Sequence, residues 1–222
     1  MNVYLEIGEK RTFAAAIDWP GWCRSGKDAQ LALEALAAYG SRYAAVLSAT
    51  HLDFQAPVSS EEFNVVERIV GNATTDFGAP GKIPVVDNDS VDDLQVKRLR
   101  ELLKACWQTF DCIANFAAGK DLRKGPRGGG RDLESIIHHV IDADVAYIRK
   151  VGWNFKIESN YEWKVEFPRT RQAVFQALES AAHGELSAAG PRGGKRWLPR
   201  YFVRRVAWHV LDHAWEIEDR LN

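Results

Sequence analysis

Apolar positions change their rhythm partway along the chain, and the change divides it in two. Asn2–Ile7 and Thr12–Ile17 are short apolar-rich runs joined by Gly8-Glu9-Lys10, a pattern that predicts a β-hairpin. Asp18-Trp19-Pro20-Gly21-Trp22 closes the second run, because proline and glycine disfavour a continued ladder. Cys23-Arg24-Ser25-Gly26 then leads into a helix predicted from about Asp28 to Leu47, with Leu31, Leu36, Tyr39 and Tyr43 available to pack on the sheet. Phe63–Val70 is β-branched enough for a third strand. After the turn Gly78-Ala79-Pro80-Gly81, Ile83-Pro84-Val85-Val86 reads as an edge or linker segment. Together these predict a small α+β layer.

Beyond Asp87-Asn88-Asp89-Ser90 the apolar residues recur at helical spacing. The polar run sets a boundary between residues 1–88 and 89–222, with Asp89 or Ser90 as helix cap and Asp92 and Asp93 in the first turn. Four helices are predicted: Val91–Ala117 with Leu99, Leu102, Cys106, Phe110 and Ile113 inward; about Asp132 to Val151; Arg169–Ala189 with Val174, Leu178, Ala181 and Leu186 inward; and Pro199 or Arg200 to the end. Two basic glycine-rich stretches, Gly119–Gly130 and Gly190–Arg196, read as solvated links, neither containing a phosphate-loop signature. Gly152–Pro168, rich in Trp153, Phe155, Tyr161, Trp163 and Phe167, is too long for a tight helix-helix connection. Extended, it spans a bundle about 25–30 Å tall, so the second and third helices are expected to run parallel.

A chain of 222 residues buries a sizeable core without disulfides. The formal charge of −1, with basic residues split between two loops, argues against nucleic-acid recognition. Cys23, Cys106 and Cys112 form an odd set without C-x-x-C spacing, which points to a reducing compartment, and Cys106 reads as a small core hydrophobe. No signal peptide or membrane-length apolar segment is visible, so the expectation is a cytoplasmic protein with no membrane partner. Homo-oligomerisation through either part is open at this stage.

The candidate chemistry is histidine. His209 and His213 lie four residues apart, on one face of a predicted helix whose neighbours Phe202, Val206 and Ile217 point to a core. Unpaired imidazoles are costly there, and this spacing lets both bind one metal ion. A third imidazole comes from Ile136-Ile137-His138-His139-Val140-Ile141-Asp142. Periodicity alone does not fix which of the adjacent pair faces inward, although Ile136 and Ala143 bracket His139 with small or apolar neighbours. Three neutral imidazoles suit zinc, nickel or iron and leave a coordination position for water or substrate. Asp142, Asp212 and Glu216 lie within a turn of these histidines, as imidazole-orienting groups, proton relays or partners of nearby arginines. Tyr147 offers a pocket hydroxyl, while His183 lies off the inward stripe and reads as surface. The competing reading is three core histidines serving only packing and hydrogen bonds.

Residues 91–222 resemble the DinB-like metalloprotein superfamily. The resemblance rests on Leu133–Asp144, in which His139, Val140, Ala143 and Asp144 match the family's H-[LV]-x-x-[AG]-[DE] run, and on Trp208-His209-Val210-Leu211-Asp212-His213. It implies a four-helix bundle with an up-down-down-up path, His139, His209 and His213 as metal ligands, and thiol-dependent transferase or isomerase chemistry on a small thiol. Residues 3–47 resemble the HicB-like domain through Asp18, Pro20, Gly21, Gly26, Asp28, Glu34 and Ala35, which implies an interaction module. The fold class expected is an α+β N-terminal layer followed by an all-α four-helix bundle. Two functions stay open: a divalent-metal-dependent enzyme, and a non-catalytic metal- or ligand-binding regulatory protein.

Overall fold

The computed structural model describes residues 1–124, 130–158, 161–187, 189 and 194–221. Much of the two basic glycine stretches, 125–129 and 190–193, therefore lies outside the described residues. The chain forms two compact units, Met1–Asp89 and Ser90–Asn222.

In the first unit, β1 (Asn2–Ile7) and β2 (Thr12–Ala16) form the expected antiparallel hairpin, with Val3 opposite Ala16 and Ile7 opposite Thr12. Where a lead-in to the helix was expected, Cys23–Gly26 is β3, antiparallel to β2. The single helix expected over 28–47 is two: α1 (Ala29–Ala38) and α2 (Gly40–Leu47). Trp22 Nε1 donates to the Leu36 carbonyl at 3.0 Å, occupying an acceptor that a continuous helix would use at Gly40. A side chain at Gly40 would also meet Ala56 Cβ at 3.1 Å. Leu36 and Tyr43 are buried as expected, whereas Leu31 is exposed.

β4 (Asn64–Val70) pairs parallel with β1, giving a mixed sheet ordered β3-β2-β1-β4. A short helix, α3 (Ala73–Phe77), follows, capped by Asn72. Residues 83–84 form no strand, and Val85–Asn88 is a 3-10 turn. Buried Glu6 ties this segment to the sheet, accepting from Thr75 Oγ1, from Gly81 N at 2.8 Å and from Lys82 N at 3.0 Å.

The second unit is a four-helix bundle: α4 (Asp93–Ala117), α5 (Leu133–Val151), α6 (Trp163–Ala182) and α7 (Pro199–Leu221). The cap of α4 is Asp92, in a reciprocal capping box with Gln95, and not Asp89 or Ser90. Asp132 caps α5, and Gly152 ends it at φ 105°, a conformation favouring glycine. Helix α6 begins at Trp163, six residues before Arg169, and takes in Pro168. A proline in the second turn forfeits only one backbone bond near the start. Leu186, expected in the core, lies past the helix and is half-buried.

Contacts at the helix ends fix the path. Arg200 reaches the Ser90 carbonyl at 3.2 Å and Arg123 N the Arg220 carbonyl at 2.9 Å, so α4 and α7 run parallel. Asp93 meets His183 at 3.1 Å and Asp111 pairs with Arg171 at 2.7 Å, so α4 and α6 are antiparallel. Trp197 N donates to the Lys150 carbonyl at 3.0 Å, which sets α5 antiparallel to α7. With α4 and α7 parallel, α6 antiparallel to α4 and α5 antiparallel to α7, helices α5 and α6 run parallel, and Tyr161, just ahead of α6, bonds Asp142 at the middle of α5. The bundle is up-down-down-up, with the crossover connecting Val151 of α5 to Trp163 of α6. Helix α7 is buried without a break from Tyr201 to Leu211, against α4 and α5.

Candidate metal centre

His209 and His213 stand one turn apart on α7, and α5 brings His139 against them. One ring nitrogen from each lies within 4.8 Å of the other two. Ring centroids are separated by 5.0 Å from His139 to either partner and by 4.6 Å between His209 and His213. His209 and His213 are 7% and 8% exposed, while His139 is half-buried. Its neighbour His138 faces elsewhere, its ring 5.0 Å from Tyr161 and its Nε2 3.8 Å from Glu134.

The electrostatics hold two of these rings neutral. His209 titrates well below the usual imidazole range, first because of burial and then because of His213, His139, Arg205 and Arg131. His139 is lowered by burial, His213 and Arg131, against opposing pulls from Asp142 and Glu216. A neutral ring is the form that offers a lone pair to a cation. His213 Nδ1 donates to Glu216 Oε2 at 2.7 Å, which leaves Nε2 as the available nitrogen. That bond, with further help from Arg220, holds the Glu216 carboxyl below its ordinary range.

The side chains fit a divalent ion. His139 Nε2 and His209 Nε2 are 3.3 Å apart. Two ligands of a tetrahedral zinc with bonds of 2.0–2.1 Å are separated by about that distance, roughly 3.3 Å. Without an ion, the same two Nε2 atoms are within hydrogen-bond distance of each other, and His209 Nδ1 is buried with no hydrogen-bond partner in the protein. Three neutral donors leave the charge of an ion uncancelled and a coordination position open. No metal identity follows from the imidazoles alone.

The other sequence candidates fall in different places. Glu216 joins the cluster through His213. Tyr147 stands with its ring 5.9 Å from His209, and its hydroxyl accepts from Arg205 Nη2 at 3.1 Å. Burial is the first cause of its raised phenol pKa, and Arg205 opposes the rise. Asp142 accepts from the Tyr161 hydroxyl at 3.1 Å, so it ties down the crossover. Asp212 is half-buried on the flank of α7, about 100° around the helix from His213.

Sequence reasoning passed over Arg205, Arg220 and Asp144. Arg205 continues the spacing of four that links His209 to His213, so extending the H-x-x-x-H register backward finds it. Arg220 is four residues beyond Glu216 and bonds it at 2.9 Å. Asp144 appeared only as a match to a family pattern, and it is wholly buried.

Set against protein-family models, curated proteins and solved structures, the chain finds no match. A sheet followed by an up-down-down-up bundle with three clustered imidazoles is consistent with a DinB-like fold bearing a potential metal site. Among the described residues no helix is long and apolar enough to cross a membrane.

Proposed function

We propose that the bundle is a divalent-metal-dependent enzyme of the DinB-like type, with thiol-dependent transferase or isomerase chemistry that uses a small thiol. The observation that carries the metal is the convergence of His139, His209 and His213 from two helices, with ring nitrogens within 4.8 Å. Thiol chemistry is supported by the resemblance of His139-Val140-x-x-Ala143-Asp144 and of the H-x-x-x-H pair to that superfamily. Bound there, a divalent cation supplies Lewis acidity that lowers the pKa of a thiol or water and stabilises the anion.

The chain's own groups do the remainder. Glu216 holds the His213 ring in one tautomer, and Tyr147 with Arg205 presents a hydroxyl and a guanidinium beside His209. Asp142 and Asp212, each within a turn of a candidate ligand in the sequence, are assigned proton-relay roles. Residues 1–88, read as a HicB-like domain, serve as an interaction module.

Elemental analysis of protein purified without added metal, beside the triple His139/His209/His213→Ala variant, tests the site. Metal in the wild type and its loss in the variant are expected; equal content in both refutes the assignment. Incubation of the metal-loaded protein with a panel of small thiols and electrophiles tests the activity. A rate no higher than that of the metal-free protein removes the enzyme reading and leaves a metal-binding one.

A further inference from the structure

The basic stretch after α4 has so far been only a link, yet its described ends converge on one side chain near the metal centre. Arg220, on the last turn of α7 and 15% exposed, donates from Nε to the Arg123 carbonyl at 2.8 Å. Its guanidinium also packs on Gly130, where an added Cβ would fall 2.8 Å from Nη2. Gly130 has φ 132°, a backbone conformation that favours glycine, and a Cβ there would push the end of the guanidinium aside. Arg123 completes the tie, donating from Nη2 to the Asp219 carbonyl at 2.6 Å and from N to the Arg220 carbonyl at 2.9 Å. The third direction of the same guanidinium is inward: Nη1 donates to Glu216 Oε1 at 2.9 Å, and Glu216 Oε2 accepts from His213 Nδ1 at 2.7 Å.

We infer that Arg220 is a positioning residue for the metal centre, coupling residues 123 and 130 through Glu216 to the orientation of His213. The inference rests on the three-histidine reading above and adds to it a determinant that touches no ligand. A carboxylate held by one partner alone swings about its own torsions; held at both oxygens it fixes the imidazole plane and keeps Nε2 aimed at the cluster. Outer groups of this kind change metal affinity by about 10- to 100-fold when removed. Arg220 acts through a second group, so the low end of that range is expected.

The test is a double-mutant cycle on the full chain, read as the dissociation constant for Co²⁺ against a chromogenic chelator at fixed pH. Arg220→Met, which keeps the aliphatic stem, is expected to weaken binding about tenfold in the wild-type background and less than about twofold in the Glu216→Ala background. A residue serving only general stability weakens both backgrounds alike, and that result overturns the inference, as does an unchanged constant in the wild-type background. Gly130→Ala provides a second route, displacing the guanidinium while keeping every charge, and is expected to shift affinity in the same direction. Nitrogen-15 spectra of the metal-free protein supply a readout independent of loading. His213 is expected as a single Nδ1-protonated tautomer in the wild type and as a mixture in Arg220→Met; identical spectra overturn the inference. Wild-type protein that takes up no cobalt defeats the parent reading together with this one, whereas histidine-dependent uptake indifferent to Arg220 defeats this one alone.

Discussion

Asp144 offers a sharp test of how the bundle interior is built. It is fully buried on α5, neither carboxylate oxygen has a hydrogen-bond partner in the protein, and Arg171 acts on it only at a distance. Burial, opposed in part by Arg171, raises its pKa from an ordinary 3.8 to about 8. The folded-state value lies above the unfolded one, so between about pH 4 and 8 the folded protein keeps a proton that the unfolded chain has released. Its contribution to stability is fully present below the unfolded value and is lost as pH rises through that window. Asp144→Asn keeps the shape of the neutral acid and removes the proton uptake.

Each pKa unit corresponds to 1.36 kcal/mol, so the stability of the variant relative to wild type should grow by ~3 kcal/mol from about pH 4.5 to 7. Any cost of burying an amide is independent of pH and drops out of that change. Urea denaturation followed by circular dichroism at several pH values measures it, with parallel slopes confirming that the same surface unfolds. A difference between the two proteins that stays constant over the range would refute the reasoning, and would mean that Asp144 is ionised in the fold.

Other consequences follow from the same interior. The depressed pKa values of His209 and His139 mean that the metal-free protein should lose stability as pH falls below about 6.5, where the unfolded chain takes up protons that the fold refuses; His209→Gln should flatten that part of the profile. Acid should release the metal over a similar range, because protons compete for the same lone pairs, and equilibrium dialysis at stepped pH would detect this. Leu102, wholly buried in α4, should cost about 2–5 kcal/mol as Leu102→Ala, measured by chemical denaturation. Glu6→Leu should strip the Gly81 and Lys82 amides of their acceptor and destabilise the first unit by about 1–3 kcal/mol, with faster amide exchange at those two positions.

The bundle was legible because its signals are periodic and long. The apolar spacing gave four helices, and the length of 152–168 implied parallel second and third helices, which the contacts at the helix ends show. The three imidazoles are brought together because the H-x-x-x-H spacing needs only helical geometry, while the facing of His139 depends on how α5 meets α7. What escaped was set by tertiary partners. Cys23–Gly26 has little intrinsic preference for a strand and becomes one because β2 offers it a ladder. The break at Tyr39 is imposed by the Trp22 indole on the Leu36 carbonyl, fourteen residues away in sequence. Pro168 reads as the end of the connection, yet it and the aromatic residues before it are in helix, with Phe167 buried against Phe110.

The histidines are unequally spaced along the chain, and this bears on the order of events in folding. His209 and His213 are neighbours as soon as one turn of α7 winds, whereas His139 lies 70 residues upstream of His209 and must arrive by closure of a long loop. A nascent or partly unfolded chain can therefore grip a cation weakly with two teeth before the third engages. Release should run the same course backward, so that loosening of α5 alone lets the ion escape while α7 stays wound.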